Sequence, residues 1–169
     1  RANSEDRVKV RTKSKKFGPG IYRWKIFIPE FRLYERCSIG AFLYHNEKEI
    51  FEFDFEIGSG TKLDRARIQL KDTEAIVYCV SQFAPSNSSH FAVNMGEYAN
   101  FTMELIDEDG FYLVKWYINN QLVKTLQTNV KSNINFRVHN SLENLRFMGD
   151  KKTTRENYVL FDSFEYQKQ

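Results

Sequence analysis

Apolar and polar residues alternate with a period of two along nearly the whole chain, and no long stretch carries a helical period. "GIYRWKIFIP" (20–29) reads as a strand closed by proline, "CSIGAFLY" (37–44) as a mostly apolar strand, and "IFEFDFEI" (50–57) follows. "RVKVRTK", "ARIQL", "AIVYCVSQF", "HFAVNM", "FTMELI", "FYLVKWYI", "QLVKTLQT", "NINFRV", "NLRFMG" and "YVLFDSFEY" read the same way. Asp109-Gly110 and Asn119-Asn120 separate successive runs, and both pairs tolerate the positive φ of tight hairpin turns. About a dozen short strands without interposed helices predict an all-β, two-sheet antiparallel sandwich. The 169 residues suit one domain, 1–169, and a jelly roll closes such a sandwich at this length. "FAPSNSSH" (83–90) is the expected exposed loop, and "GSGTK" (58–62) a simple turn without phosphate-loop spacing.

Fifteen Phe and nine Tyr favour strands further. The net charge of +3 is too small to argue for nucleic acid. The basic run Arg7, Lys9, Arg11, Lys13, Lys15, Lys16 lacks the interleaved aromatics of a single-strand binder and reads as a solvated strand face. No apolar run reaches membrane length, and "RANSEDRVKV" has no signal-peptide core. The expectation is a monomeric, mature secreted or periplasmic chain whose leader is gone, with a cytoplasmic one left open. Cys37 and Cys79 match no zinc spacing; both read as buried apolar side chains, and a bond between them stays open. The three His are too scattered for a metal cluster.

One strand stands apart. In "EFDFE", Phe51, Phe53, Phe55 and Ile57 share one face, which is core, while Ile50, Glu52, Asp54 and Glu56 share the other. Three like charges two residues apart repel, which implies shared protons and separated pKa values. That split is what glycoside hydrolysis uses: one ionised nucleophile and one protonated acid. A solvated acidic face and a calcium site are the alternatives on spacing alone. In a flat strand, residues four apart lie about 13 Å apart at Cα, whereas a retaining pair needs carboxyls about 5–5.5 Å apart. The outer glutamates are therefore expected to lean together over a curved sheet.

The motif does not stand alone. "EFDFE" resembles the E-x-D-x-E signature of glycoside hydrolase family 16, the laminarinase/lichenase-like enzymes with a concanavalin A-like jelly roll. "RTKSKKFGPGIYRWKIFIP" is similar to that family's opening strands, and "GAFLY" to its "P-A-F-W-L" strand. "YLVKWYINNQLVKT" is similar to its "I-x-W-Y-V-D-G-x-x-V" hairpin, and "VLFDSFEYQ" to its closing strand. The resemblance covers almost the whole chain. It implies a retaining endo-glycoside hydrolase of a β-linked glucan or related polysaccharide, with Glu52 as nucleophile, Glu56 as general acid/base and Asp54 as the assisting acid. It implies no required cofactor, and a structural calcium near Gly20 and Asp162. Ile50 stands where the family usually has a tryptophan, and His139 falls near a cleft aromatic of the family. Beside these, Tyr117 is a candidate sugar contact from its outward alternation, and His45 from its place just before the acidic strand. His90 reads as loop surface, and Trp24 and Trp116 as core. The rival functions on the same fold are a non-catalytic carbohydrate-binding module and an adhesion domain.

Overall fold

The computed structural model describes residues 2–169, so only Arg1 of the expected domain lies outside the described residues. Among the described residues, eleven strands form two antiparallel sheets. In one, β1 (Arg7–Arg11), β10 (Arg137–Asn144), β3 (Cys37–Asn46), β4 (Ile50–Gly58), β5 (Glu74–Gln82) and β6 (Asn87–Asn94) lie side by side in that order. In the other the order is β11 (Leu160–Lys168), β2 (Gly20–Ile28), β7 (Glu97–Glu108), β8 (Phe111–Ile118) and β9 (Gln121–Lys131). The all-β, two-sheet sandwich read from the alternation is the observed architecture.

The turns behave as their residues dictate. Asp109 and Gly110 take φ of 52° and 83°, and Asn119 and Asn120 take 49° and 66°, so each pair closes a tight hairpin. The inner faces of the sheets meet in a continuous aromatic core. Trp24, Trp116, Tyr22, Tyr112, Phe53, Phe55, Phe101 and Phe136 are fully buried in it. Each large side chain contributes about 1.5–3 kcal/mol through burial. Cys37 and Cys79 are buried free thiols. No helix among the described residues is long and apolar enough to cross a membrane.

Two runs expected as strands are not strands. "ARIQL" closes the short helix α1 (Lys62–Arg67) and the turn after it. The reason is local. The Thr61 hydroxyl accepts from the Asp64 amide at 3.1 Å and donates to Asp64 Oδ2 at 2.8 Å, which caps the first turn. Buried Arg65 then donates to the carbonyls of Ser59, Glu74 and Lys71, pinning the segment. "GSGTK", read as a simple turn, thus leads into a helix. "NLRFMG" leaves β10 and makes one 3₁₀ turn, Arg146–Met148. The expected loop 83–90 is shorter than its sequence suggests, because Asn87 to His90 pair with β5.

Candidate active site

β4 is a central strand, paired with β3 on one side and β5 on the other. Phe51, Phe53, Phe55 and Ile57 are buried toward the second sheet. Glu52, Asp54 and Glu56 therefore project from the outer face of the six-stranded sheet. There they line a groove of about 550 Å³. Tyr78, Val80 and Gln82 of β5, with Ser88 and His90 of β6, continue its floor. Arg7 and Lys9 of β1 line one side with Glu143 of β10; Leu145, Phe147 and Asp64 line the other parts.

The three acids differ in surroundings. Asp54 is completely buried; its Oδ2 accepts from Gln82 Nε2 at 3.0 Å, while Oδ1 makes no hydrogen bond. Burial, then the charges of Glu52 and Glu56, hold the Asp54 carboxyl well above the usual aspartate range. Glu52 is its neighbour on the same strand face, and each carboxyl acts on the other's ionisation. Glu52 is less deeply set, and burial raises it also, against Asp54 and the charge of Lys9. Burial pushes Glu56 up to about 8, with Glu143 and Glu52 adding to the shift and a Ser38 hydrogen bond opposing it. Glu56 therefore carries its proton at neutral pH.

Glu56 is seated against β3. It pairs across the strands with Gly40, and the bare backbone there leaves room for its carboxyl. Its Oε2 accepts from the Ser38 hydroxyl on β3. The acid at 56 is thus held toward β3.

The other expected site residues lie elsewhere. His45 is buried on the core side, where Nδ1–H donates to the Asn135 carbonyl at 2.9 Å and the ring meets Phe51 and Phe136. Its odd position relative to Glu52 turns it to the opposite sheet face. Tyr117 projects from β8 in the five-stranded sheet and donates to Glu104 Oε2 at 3.0 Å, on the side of the sandwich away from the groove. His139 is on the groove's sheet face but buried, stacked on Phe42 at 4.9 Å between centroids. Burial, with Arg11, Lys9 and Arg137, pushes His139 down to about 4, so the ring is neutral.

Gly20 and Asp162 are not brought together. Gly20 pairs with Lys168, whereas Asp162 lies at the β11 irregularity facing Lys25 and Ile26, and its carboxylate binds Lys25 Nζ at 3.0 Å. Five residues of β2 separate the two places, roughly 16 Å. The pair does not fit a calcium site, and among the described residues no group of three or more His, Cys, Asp or Glu could hold a metal ion.

Several groove residues were not singled out by the motif. Tyr78, opposite Glu56 on β5, packs edge-on against His90 at 4.5 Å and Phe147 at 5.7 Å, forming an aromatic surface at the Glu56 end of the groove. His90, read as loop surface, belongs to this cluster. Glu143 is buried, and the alternation His139, Ser141, Glu143 in β10 was the signal that it shares the acids' face.

No protein-family model matches the sequence, and no curated protein matches it. Solved structures are similar over almost its whole length. The β-glucanase of Bacillus licheniformis superposes with a TM-score of 0.62 at 14% identity, covering 96% of this chain and 78% of that one. A mixed-linkage glucan GH16 protein of Bacteroides ovatus gives 0.65 at 12% identity, covering 95% and 74%. The Crh5 transglycosylase gives 0.68 at 12% identity, covering 99% and 70%. At such identities the likeness is one of fold: this chain has the two-sheet jelly roll of the glycoside hydrolase family 16 enzymes.

Proposed function

We propose that the chain is a retaining glycoside hydrolase that cuts a β-linked glucan or related polysaccharide within its length. The observation that carries this reading is three acids of one strand lining one groove in unlike surroundings: Asp54 fully buried on Gln82, Glu56 buried on the Ser38 hydroxyl and pushed up to about 8, and Glu52 less deeply set. Glu52 attacks the anomeric carbon, forming a glycosyl ester as the bond to the leaving oxygen breaks. Glu56 gives its proton to that oxygen and then takes one from the water that releases the sugar. Asp54, held neutral by burial, keeps its proton while Glu52 attacks and donates a hydrogen bond to Glu52 when the nucleophile regains its charge. The structural neighbours described as glucanases and transglycosylases support a glycan in this groove.

A second reading, binding without cleavage, is favoured by the burial of both tryptophans in the core, which leaves Tyr78, Phe147 and His90 as the groove's aromatics. Reducing-sugar release from a panel of β-glucans separates the two. Wild type should release sugar and Glu52→Gln should lose at least a thousandfold in rate, with the first product of retained configuration by NMR. Equal release from both proteins ends the hydrolase reading.

A further inference from the structure

We propose that Glu143 is a positioning residue for Glu56: its buried negative charge, set beyond Ser38, opposes ionisation of Glu56 and keeps a proton available for the leaving oxygen. The inference rests on Glu56 being the general acid.

The geometry is a short relay across three strands. Glu143 pairs directly with Ser38 in the β10–β3 register, and the Ser38 hydroxyl donates to Glu56 Oε2. The Glu143 side chain is 3% exposed, yet it lines the groove. Lys9 Nζ lies 3.1 Å from its Oε1 and Arg7 Nε 3.8 Å from its Oε2, so this buried carboxylate is paired with two cations. Oε2 makes no hydrogen bond. The two cations sit on edge strand β1 with side chains 62% and 46% exposed, where water screens them. Glu56 therefore feels the buried anion more than its exposed partners. The Glu143 charge raises the Glu56 carboxyl by more than Lys9 lowers it.

Other charged or titratable groups also face Glu56: Glu52 and Asp54 from β4, Tyr78 from β5, His90 from β6 and Asp64 from α1. A neutral, isosteric change at 143 leaves all of them in place. Protein labelled with ¹³C at glutamate side-chain carboxyls gives the Glu56 titration directly, with Glu56→Gln assigning the signal. Glu143→Gln should lower the Glu56 midpoint by about one pH unit, as loss of a neighbouring like charge does. Glu143→Asp should restore most of it, and Lys9→Gln should raise it. The alkaline limb of kcat/KM on a β-glucan should move with the midpoint, while KM stays within twofold. A Glu56 midpoint that stays put in folded Glu143→Gln overturns the proposal. If that variant does not fold, Glu143→Ala takes its place, and an unmoved or raised midpoint there overturns the proposal equally. Absence of hydrolysis by the wild type removes the enzyme reading while the titration still reports the coupling.

Discussion

Gly40 stands directly opposite Glu56 across the β3–β4 pair, and a Cβ built on it would lie 2.5 Å from Ser141 Oγ and 3.3 Å from Glu56 Oε1. The serine hydroxyl can rotate away; the glutamate must shift by a few tenths of an ångström. Gly40→Ala should therefore cost about 1 kcal/mol of stability, and lower kcat by at least tenfold through displacement of the acid. Denaturant melts beside steady-state kinetics check this. A variant with full turnover would show that the carboxyl's seat over Gly40 is immaterial.

The pH profile of hydrolysis follows from the environments of the acids. Glu56 must be protonated, and burial places it at about 8. Glu52 must be ionised, and burial lifts it above its ordinary 4.5. kcat/KM should trace a bell whose alkaline limb lies near 8 and whose acid limb lies above 4.5. Glu56→Gln should remove the alkaline limb, and substrates with activated aryl leaving groups should suffer far less from Glu56→Ala than polysaccharide does.

The same burial has a stability consequence of opposite benefit. Below pH 4.5 the Glu56 carboxyl is protonated in both folded and unfolded chains. As pH rises toward about 8, the unfolded chain ionises at this residue while the folded chain keeps its proton. Stability from this group falls across that window and levels off above it. Glu56→Gln should thus melt near the wild-type temperature at pH 4.5 and several degrees higher at pH 8. Calorimetry at the two pH values tests the sign; a Glu56→Gln variant less stable at pH 8 than at pH 4.5, relative to wild type, contradicts it.

Phe147 is half exposed and meets Tyr78 edge-on, so it offers a ring face to a sugar without holding the core. Phe147→Ala should raise KM for a β-glucan about tenfold, or ~1.4 kcal/mol. kcat and melting temperature should change little. Kinetics on a long glucan and on a short aryl glycoside would show whether the loss is confined to the longer chain.

The legible part of this fold was local. Alternation at Phe51, Phe53 and Phe55 fixes a face, and Asn119-Asn120 fixes a turn, because each depends on neighbours in sequence. α1 was not read from the sequence: its cap is a local bond between Thr61 and Asp64, while the few apolar residues of "ARIQL" mimic a strand over so short a span. The groove was legible only along β4. Glu143 is 87 positions past Glu56 and reaches it through two strand pairings, which no spacing along the chain encodes. His45 was misplaced for a smaller reason: β3 continues to Asn46, so a residue expected in a free loop obeys the parity of the sheet.

Trp116 donates its indole N–H to the backbone carbonyl of Asp54 at 3.2 Å, while the chain's other tryptophan, Trp24, is bonded to Asn140. One of only two indoles is thus fastened to the underside of the residue at the middle of the acidic groove. A ligand that tugs on that strand alters the polarity around this ring. The protein carries its own fluorophore beneath the groove, and ligand arrival should be visible by intrinsic emission without a dye.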